Sequence, residues 1–138
     1  MKISLKLEYA CRSLAQIGRL YGSGQLAHIE ELAKSEKIPQ NYLIQILNEL
    51  RAGGILRSKR GKNGGYALVR RPSDTSLLDV AEIVDNDLVQ HRLHLDGVSG
   101  AQVAEVWNGI ANRFRTVLKK TTVADLIPRY DGATMYDI

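Results

Sequence analysis

Several large protein classes are excluded by what this chain lacks. It has one cysteine, Cys11, in 138 residues, so it has no intramolecular disulfide framework. No apolar run approaches the roughly 18 residues that a bilayer-spanning helix needs, and no membrane partner is expected. Met1 to Lys6 leads straight into a helical pattern with no signal-peptide core, so a cytoplasmic location is expected. There is no nucleophile elbow, P-loop, H-E-x-x-H or CxxC motif. The carboxylates are scattered over helical faces, and an enzyme is not expected. No internal repeat or low-complexity tract is present. What remains is a length suited to one compact domain, or to one domain with a dimerisation arm. The 44% hydrophobic and 25% charged residues are ordinary for a globular protein.

Charge is unevenly placed. The net charge is +4, yet Arg57, Lys59, Arg60, Lys62, Arg70 and Arg71 fall within residues 57–71, which contain no acid. Of 19 basic residues six are there, leaving thirteen against fifteen acids elsewhere. A +6 segment on a −2 body suggests a polyanionic partner. A solvated basic turn would carry the same charge, so charge alone does not decide.

Apolar residues at Leu7, Ala10, Cys11, Leu14, Ile17, Gly18 and Tyr21 predict a first helix, stopped at Gly22-Ser23-Gly24. A short second helix is expected around His28 to Ser35, with Ile29, Leu32 and Ala33 inward. A third starts near Pro39, whose missing N–H costs little there. It buries Leu43, Ile46, Leu47 and Leu50, carries Gln40, Asn41, Gln45, Asn48 and Arg51 on its other faces, and stops at Gly53-Gly54. Residues 55–59 and 66–69 read as short strands around the glycine-rich turn Arg60 to Gly65. A helix-turn-helix followed at once by a basic hairpin predicts a winged helix.

Ser76 and Asp79 predict a capped helix from about Leu77 to Val84, and residues 86–98 read as a loop. Ser99 with Gln102 predicts the cap of a long helix reaching about Lys120, with Val103, Val106, Trp107, Ile110, Phe114, Val117 and Leu118 apolar. Such a helix can pack on its own domain along one side and on a partner along another. Thr122 with Asp125 caps a last short helix, and the tail from Tyr130 is expected to fray. The expected fold is mainly α with a small β-hairpin. Residues 1–75 form a winged helix-turn-helix, and residues 76–138 a dimerisation and sensor region around the long helix at about 99–120.

In a helix-turn-helix the second helix reads the major groove from its N-terminal end. Gln40, Asn41, Tyr42 and Gln45 are there, and Gln and Asn can pair bidentately with adenine. Tyr42 could reach a phosphate or simply pack, and His28 is placed to meet the DNA backbone. In the hairpin, Arg60 suits insertion into a narrow minor groove. Lys59 and Lys62 suit phosphates, Asn63 lies in the same turn, and Gly64 and Gly65 allow close main-chain approach. Double-stranded DNA is therefore the expected partner. His91 and His94 stand at H-x-x-H spacing, but two histidines in a polar loop are more often plain surface residues, and no metal is assigned. Iron–sulfur clusters usually need several cysteinates. Cys11 lies on an apolar stripe and is expected to be a buried, inert thiol. No cofactor is expected.

The chain resembles the Rrf2 family of bacterial winged-helix transcriptional regulators. The resemblance runs through Met1-Lys2-Ile3-Ser4, Tyr9-Ala10, Ile29 to Ala33, Ile38 to Leu43 and Leu47 to Leu56, and it is most specific from Ser58 to Leu68. Thr121 to Leu126 resembles the family's usual ending. The resemblance implies a homodimer whose long helices cross, and two winged helices on a pseudo-palindromic operator. Cluster-binding members carry three cysteines before the long helix, where residues 86–98 of this chain have none. Glu8 matches a position where some members offer a carboxylate, but it does not replace the thiolates. The implied protein is a cluster-free regulator, a repressor that competes with polymerase. A protein-interaction module, or a sensor of a small molecule or metal near Trp107, is the alternative. A protein or small-molecule effector fits either reading.

Overall fold

The computed structural model describes residues 1–90 and 92–129. The expected fraying from Tyr130 and any role of His91 lie outside the described residues. Helix α1 (Leu5–Arg19) starts where the Ser4 hydroxyl accepts the Leu7 N–H at 3.1 Å. Its buried stripe is Leu7, Ala10, Leu14 and Ile17. The helix stops before Tyr21, so that residue leaves the expected stripe and is exposed. Helix α2 (Ile29–Glu36) ends at Lys37, whose left-handed φ of 55° turns the chain. Helix α3 (Gln40–Ala52) buries the four expected residues, Leu43, Ile46, Leu47 and Leu50. Pro39 caps it from outside the first turn, and its carbonyl accepts the Leu43 N–H at 2.9 Å.

Strands β1 (Leu56–Lys59) and β2 (Gly65–Leu68) pair antiparallel, with Leu56 opposite Leu68 and Lys59 opposite Gly65. Leu56 and Leu68 are buried at the base, while Arg57, Ser58 and Lys59 project into solvent. Ala27 and Tyr66 exchange two backbone hydrogen bonds of 2.8 Å, which fasten the hairpin to the entrance of α2. Three helices with this tethered hairpin make a winged helix.

After a single turn at Pro72–Asp74, helix α4 (Leu77–Val84) begins with the Ser76 hydroxyl accepting the Asp79 N–H at 3.1 Å. The stretch 86–98, expected to be a loop throughout, opens with one helical turn, α5 (Asn86–Val89). Four residues are too few to show a helical period, and burial of Val89 gives this turn its anchor. Helix α6 (Gly100–Lys120) runs as expected, but Ser99 does not cap it. With φ −105° and ψ 0°, Ser99 lacks the extended backbone that directs a capping side chain inward. Helix α7 (Val123–Leu126) has the expected box, with the Thr122 N–H donating to Asp125 Oδ2 at 2.9 Å. Hydrogen bonds from Leu77 N to the Thr121 carbonyl and from Val123 N to the Thr75 carbonyl join the starts of α4 and α7.

One apolar cluster extends from Leu7 through α3 to Val123. Helix α6 touches it through the half-buried Phe114 and Leu118, and Arg115 ties α6 to Glu82 at 3.0 Å and to the Val89 carbonyl at 3.1 Å. Its remaining apolar residues, Val103, Val106, Trp107, Ile110 and Val117, are 50–62% exposed. Among the described residues no helix is long and apolar enough to cross a membrane.

Candidate nucleic-acid interface

Helix α3 presents two groups of polar side chains. At its start Gln40, Asn41 and Gln45 are exposed, and Asn41 Oδ1 accepts the Tyr42 N–H at 3.1 Å. Tyr42 is half-buried. Its ring meets that of Tyr9 edge-on, with centroids 5.7 Å apart and planes at 81°. Of the two roles expected for Tyr42, packing is the one seen. Arg12 stacks over Tyr9 at 5.2 Å and bonds to Glu36, while Lys6 pairs with Glu49 at 2.7 Å. These contacts hold the exposed face of α3 at a set angle to α1.

The second group lies further along α3. Asn48 and Arg51 form one wall of a cleft of about 550 Å³ whose other wall is the hairpin, with Ser58, Lys59, Arg60 and Lys62. His28 and Glu30, at the start of α2, also line it, and Gly64 and Gly65 lie at the turn end of the hairpin in the same cleft. Gln40, Asn41, Tyr42 and Gln45 are not in its lining. Asn48 lies eight residues beyond Gln40, about 12 Å along the helix. Asn63 faces a neighbouring groove with Lys59 and Lys62, walled by Gln16 and Gln25. Asn48, Arg51 and Ser58 were not read as site residues from the sequence. A signal was available for two of them, because 45, 48 and 51 recur at helical spacing.

The structure also divides the +6 segment. Arg70 pairs with Asp79 at 3.8 Å and Arg71 with Asp74 at 2.8 Å. The hydrogen bond to Asp74 and its charge raise the Arg71 pKa further. None of the ion pairs among the described residues involves Arg57, Lys59, Arg60 or Lys62. The charge open to a polyanion therefore lies in the hairpin proper, with Arg51 facing it.

Cys11 is half-buried on α1, and burial pushes its thiol up to about 11 from 9.0. The thiolate is the reactive form. Iodoacetamide at neutral pH should therefore modify the native chain about 100-fold more slowly than the denatured chain, as followed by mass spectrometry. Rates within threefold of each other would contradict the burial. The unfolded thiol ionises first as pH rises from 9.0 towards about 11, so this group leaves stability unchanged below that window and lowers it within the window.

Comparison with known proteins gives the family of the chain and relatives of the same fold. Residues 3–129 match the family profile described as Rrf2, an iron-dependent transcriptional regulator. The chain belongs to the Rrf2 family. Relatives include a Mycobacterium tuberculosis protein named as an HTH-type transcriptional regulator, Rv1287, which is 35% identical over 91% of this chain and 81% of its own length. The regulator CymR of Bacillus subtilis is 27% identical over 96% of this chain and 94% of its own. The solved structure of CymR, the global cysteine regulator of that organism, superposes with a TM-score of 0.78 at 25% identity, covering 91% of this chain and 95% of CymR. An IscR structure from T. potens gives 0.72 at 25% identity, covering 91% and 85%. This Rrf2-family protein is a DNA-binding transcriptional regulator with a winged-helix fold, and it is not an enzyme.

The family description raises the question of iron. The chain's one thiol, Cys11, is half-buried and held protonated. Among the described residues no three His, Cys, Asp or Glu side chains are gathered to hold a metal, and His94 is exposed in the linker before α6. This donor set does not fit a thiolate-bound cluster.

Proposed function

We propose that this Rrf2-family protein is a cytoplasmic homodimer that sets two winged helices on a pseudo-palindromic promoter site and represses by occupying that DNA, without an iron–sulfur cluster. The observation that carries this reading is the cationic cleft between α3 and the hairpin. Its Lys59, Arg60 and Lys62, which join none of the ion pairs among the described residues, share this cleft with Arg51. Gln40, Asn41 and Gln45 project ahead of it to read base edges in the major groove. Tyr42 acts by holding that end of α3 against Tyr9. Arg60 enters the adjacent minor groove. Lys59 and Lys62 neutralise phosphates, with His28 and Asn63 beside them. Gly64 and Gly65 shape the tight turn of the hairpin and let its main chain approach the DNA closely. Residues 1–75 thus bind DNA, and residues 76–138 join the two subunits through the exposed stripe of α6. Repression requires only occupancy of promoter DNA in competition with polymerase.

Genomic footprinting tests the reading, with a two-fold site as the expected result; protection without two-fold symmetry would sink it. An absorbance spectrum of protein purified without air should lack a cluster band between roughly 300 and 500 nm, and a band there would overturn the cluster-free assignment. Arg51→Ala should weaken binding about equally across sequences and lower the salt slope of log K by about one, as expected for one lost phosphate contact. An unchanged slope would remove Arg51 from the interface.

A further inference from the structure

Helix α3 carries one large apolar side chain that the core does not use. Its inward stripe is Leu43, Ile46, Leu47 and Leu50, all buried. Ile44 lies off that stripe and is 43% exposed. At about 100° per residue it falls near the middle of the helix's exposed arc, with Gln40 and Asn41 one turn before it and Asn48 one turn after. Gln45 and Arg51 complete the arc, which spans about 140°. No acid lies on it. Glu49, the one carboxylate of α3, is on the side turned to α1, where it pairs with Lys6 at 2.7 Å.

A solitary exposed apolar residue needs no explanation by itself. The neighbours of Ile44 give it a role. Gln and Asn can pair bidentately with adenine in the major groove, and the thymine opposite presents its 5-methyl group in the same groove. That methyl is the apolar feature among the base edges there, and an aliphatic side chain is its natural contact. Amides around an apolar centre therefore match both bases of an A·T pair. The arc also lacks the carboxylate that suits the amino group of cytosine. Isoleucine is branched at Cβ, so its χ1 is restricted and it presents its methyl groups in a fixed direction. Entry of Arg60 into a narrow minor groove, proposed above, favours the same base composition nearby.

We propose that Ile44 packs on the 5-methyl group of a thymine in each operator half-site and so determines a preference for an A·T pair there. The inference rests on the operator reading above and adds the residue and the base feature that it reads. Gln40, Asn41 and Gln45 supply hydrogen bonds around this contact, and Ile44 supplies the discrimination that hydrogen bonds to adenine alone do not.

Deoxyuridine scanning of the footprinted operator tests this with the full-length protein. Uracil pairs as thymine does and lacks only the 5-methyl group. Each thymine of the protected site is replaced together with its two-fold mate, and affinity is read by fluorescence anisotropy. With the wild type, one symmetric pair of positions should cost about tenfold, the effect of losing one methyl from an apolar contact in each half-site. Ile44→Ala should bind the unmodified operator about tenfold or more weakly and should lose nothing further when those thymines become uracil. Ile44→Val keeps a branched apolar side chain and should keep most of the sensitivity to uracil. Because Ile44 is exposed and alanine favours a helix, the alanine variant should keep the wild-type circular-dichroism spectrum and urea midpoint. A uracil penalty in Ile44→Ala equal to that of the wild type would give the contact to another residue and overturn the inference. So would a wild type whose affinity is unchanged by uracil at every position. If the wild type protects no DNA at all, the operator reading itself falls, and the role of Ile44 with it.

Discussion

Gly65→Val is expected to abolish operator binding at concentrations that saturate the wild-type protein, while the helical core stays folded. A Cβ at position 65 would lie 2.5 Å from the Ala27 carbonyl oxygen and 3.0 Å from Leu26 Cβ. The obstructing group is main chain already engaged in the Ala27–Tyr66 hydrogen bonds of 2.8 Å, so it cannot turn aside as a flexible side chain would. The hairpin must then lift away from α2, opening the cleft between Arg51 and Lys59. The overpacking should cost about 1–3 kcal/mol of folding stability, read from urea denaturation. Helicity should persist, because Leu14, Leu43 and Leu47 lie in the helical core rather than under the hairpin tip. Operator affinity, read by fluorescence anisotropy, should fall below detection. Binding within threefold of wild type would show that the tether does not position the hairpin.

Arg60→Ala carries the second large effect, a loss of operator affinity of about 10- to 100-fold, the range for one well-placed arginine contact of about 1–3 kcal/mol. Arg60 is at the exposed end of β1's extension into the turn and belongs to none of the ion pairs among the described residues. Its charge is therefore available without breaking a protein contact first. Arg71→Ala is the matched control. That side chain already bonds Asp74 at 2.8 Å, so its removal should change affinity by less than about twofold, as a screened surface pair of this kind is worth little. Gel-shift titrations at two salt concentrations would measure both. Equal losses for the two variants would mean that the segment acts as undirected positive charge, and the groove-inserting role of Arg60 would be wrong.

Much of this molecule was readable before any coordinates. The helical spacing of Leu43, Ile46, Leu47 and Leu50, the change of period after Gly54 and the caps at Ser76 and Thr122 are local signals, and all appear in the fold. The misses have physical causes. Ser99 offers a capping side chain, yet the turn before α6 holds its backbone in a conformation that cannot use it. The turn Asn86–Val89 is too short to display a period and is held by burial of Val89. Arg70 and Arg71 counted as free charge in the sequence because their partners, Asp79 and Asp74, lie just outside the basic segment.

The sequence by itself determined the elements other than the turn Asn86–Val89, the order in which they come, the family and the chemical kind of partner, because hydrophobic period, caps, turn glycines and a clustered charge are all properties of neighbours along the chain. Only the tertiary structure decided which cations pair with an acid among the described residues, that Tyr42 packs against Tyr9, that Asn48 and Arg51 share a cleft with the hairpin, and that the outer stripe of α6 is exposed among the described residues. Each of these depends on what residues far apart in the chain do to one another's solvent exposure. Arg51 meets Lys59 across a cleft because Ala27 grips Tyr66, and no local pattern around Arg51 records that contact.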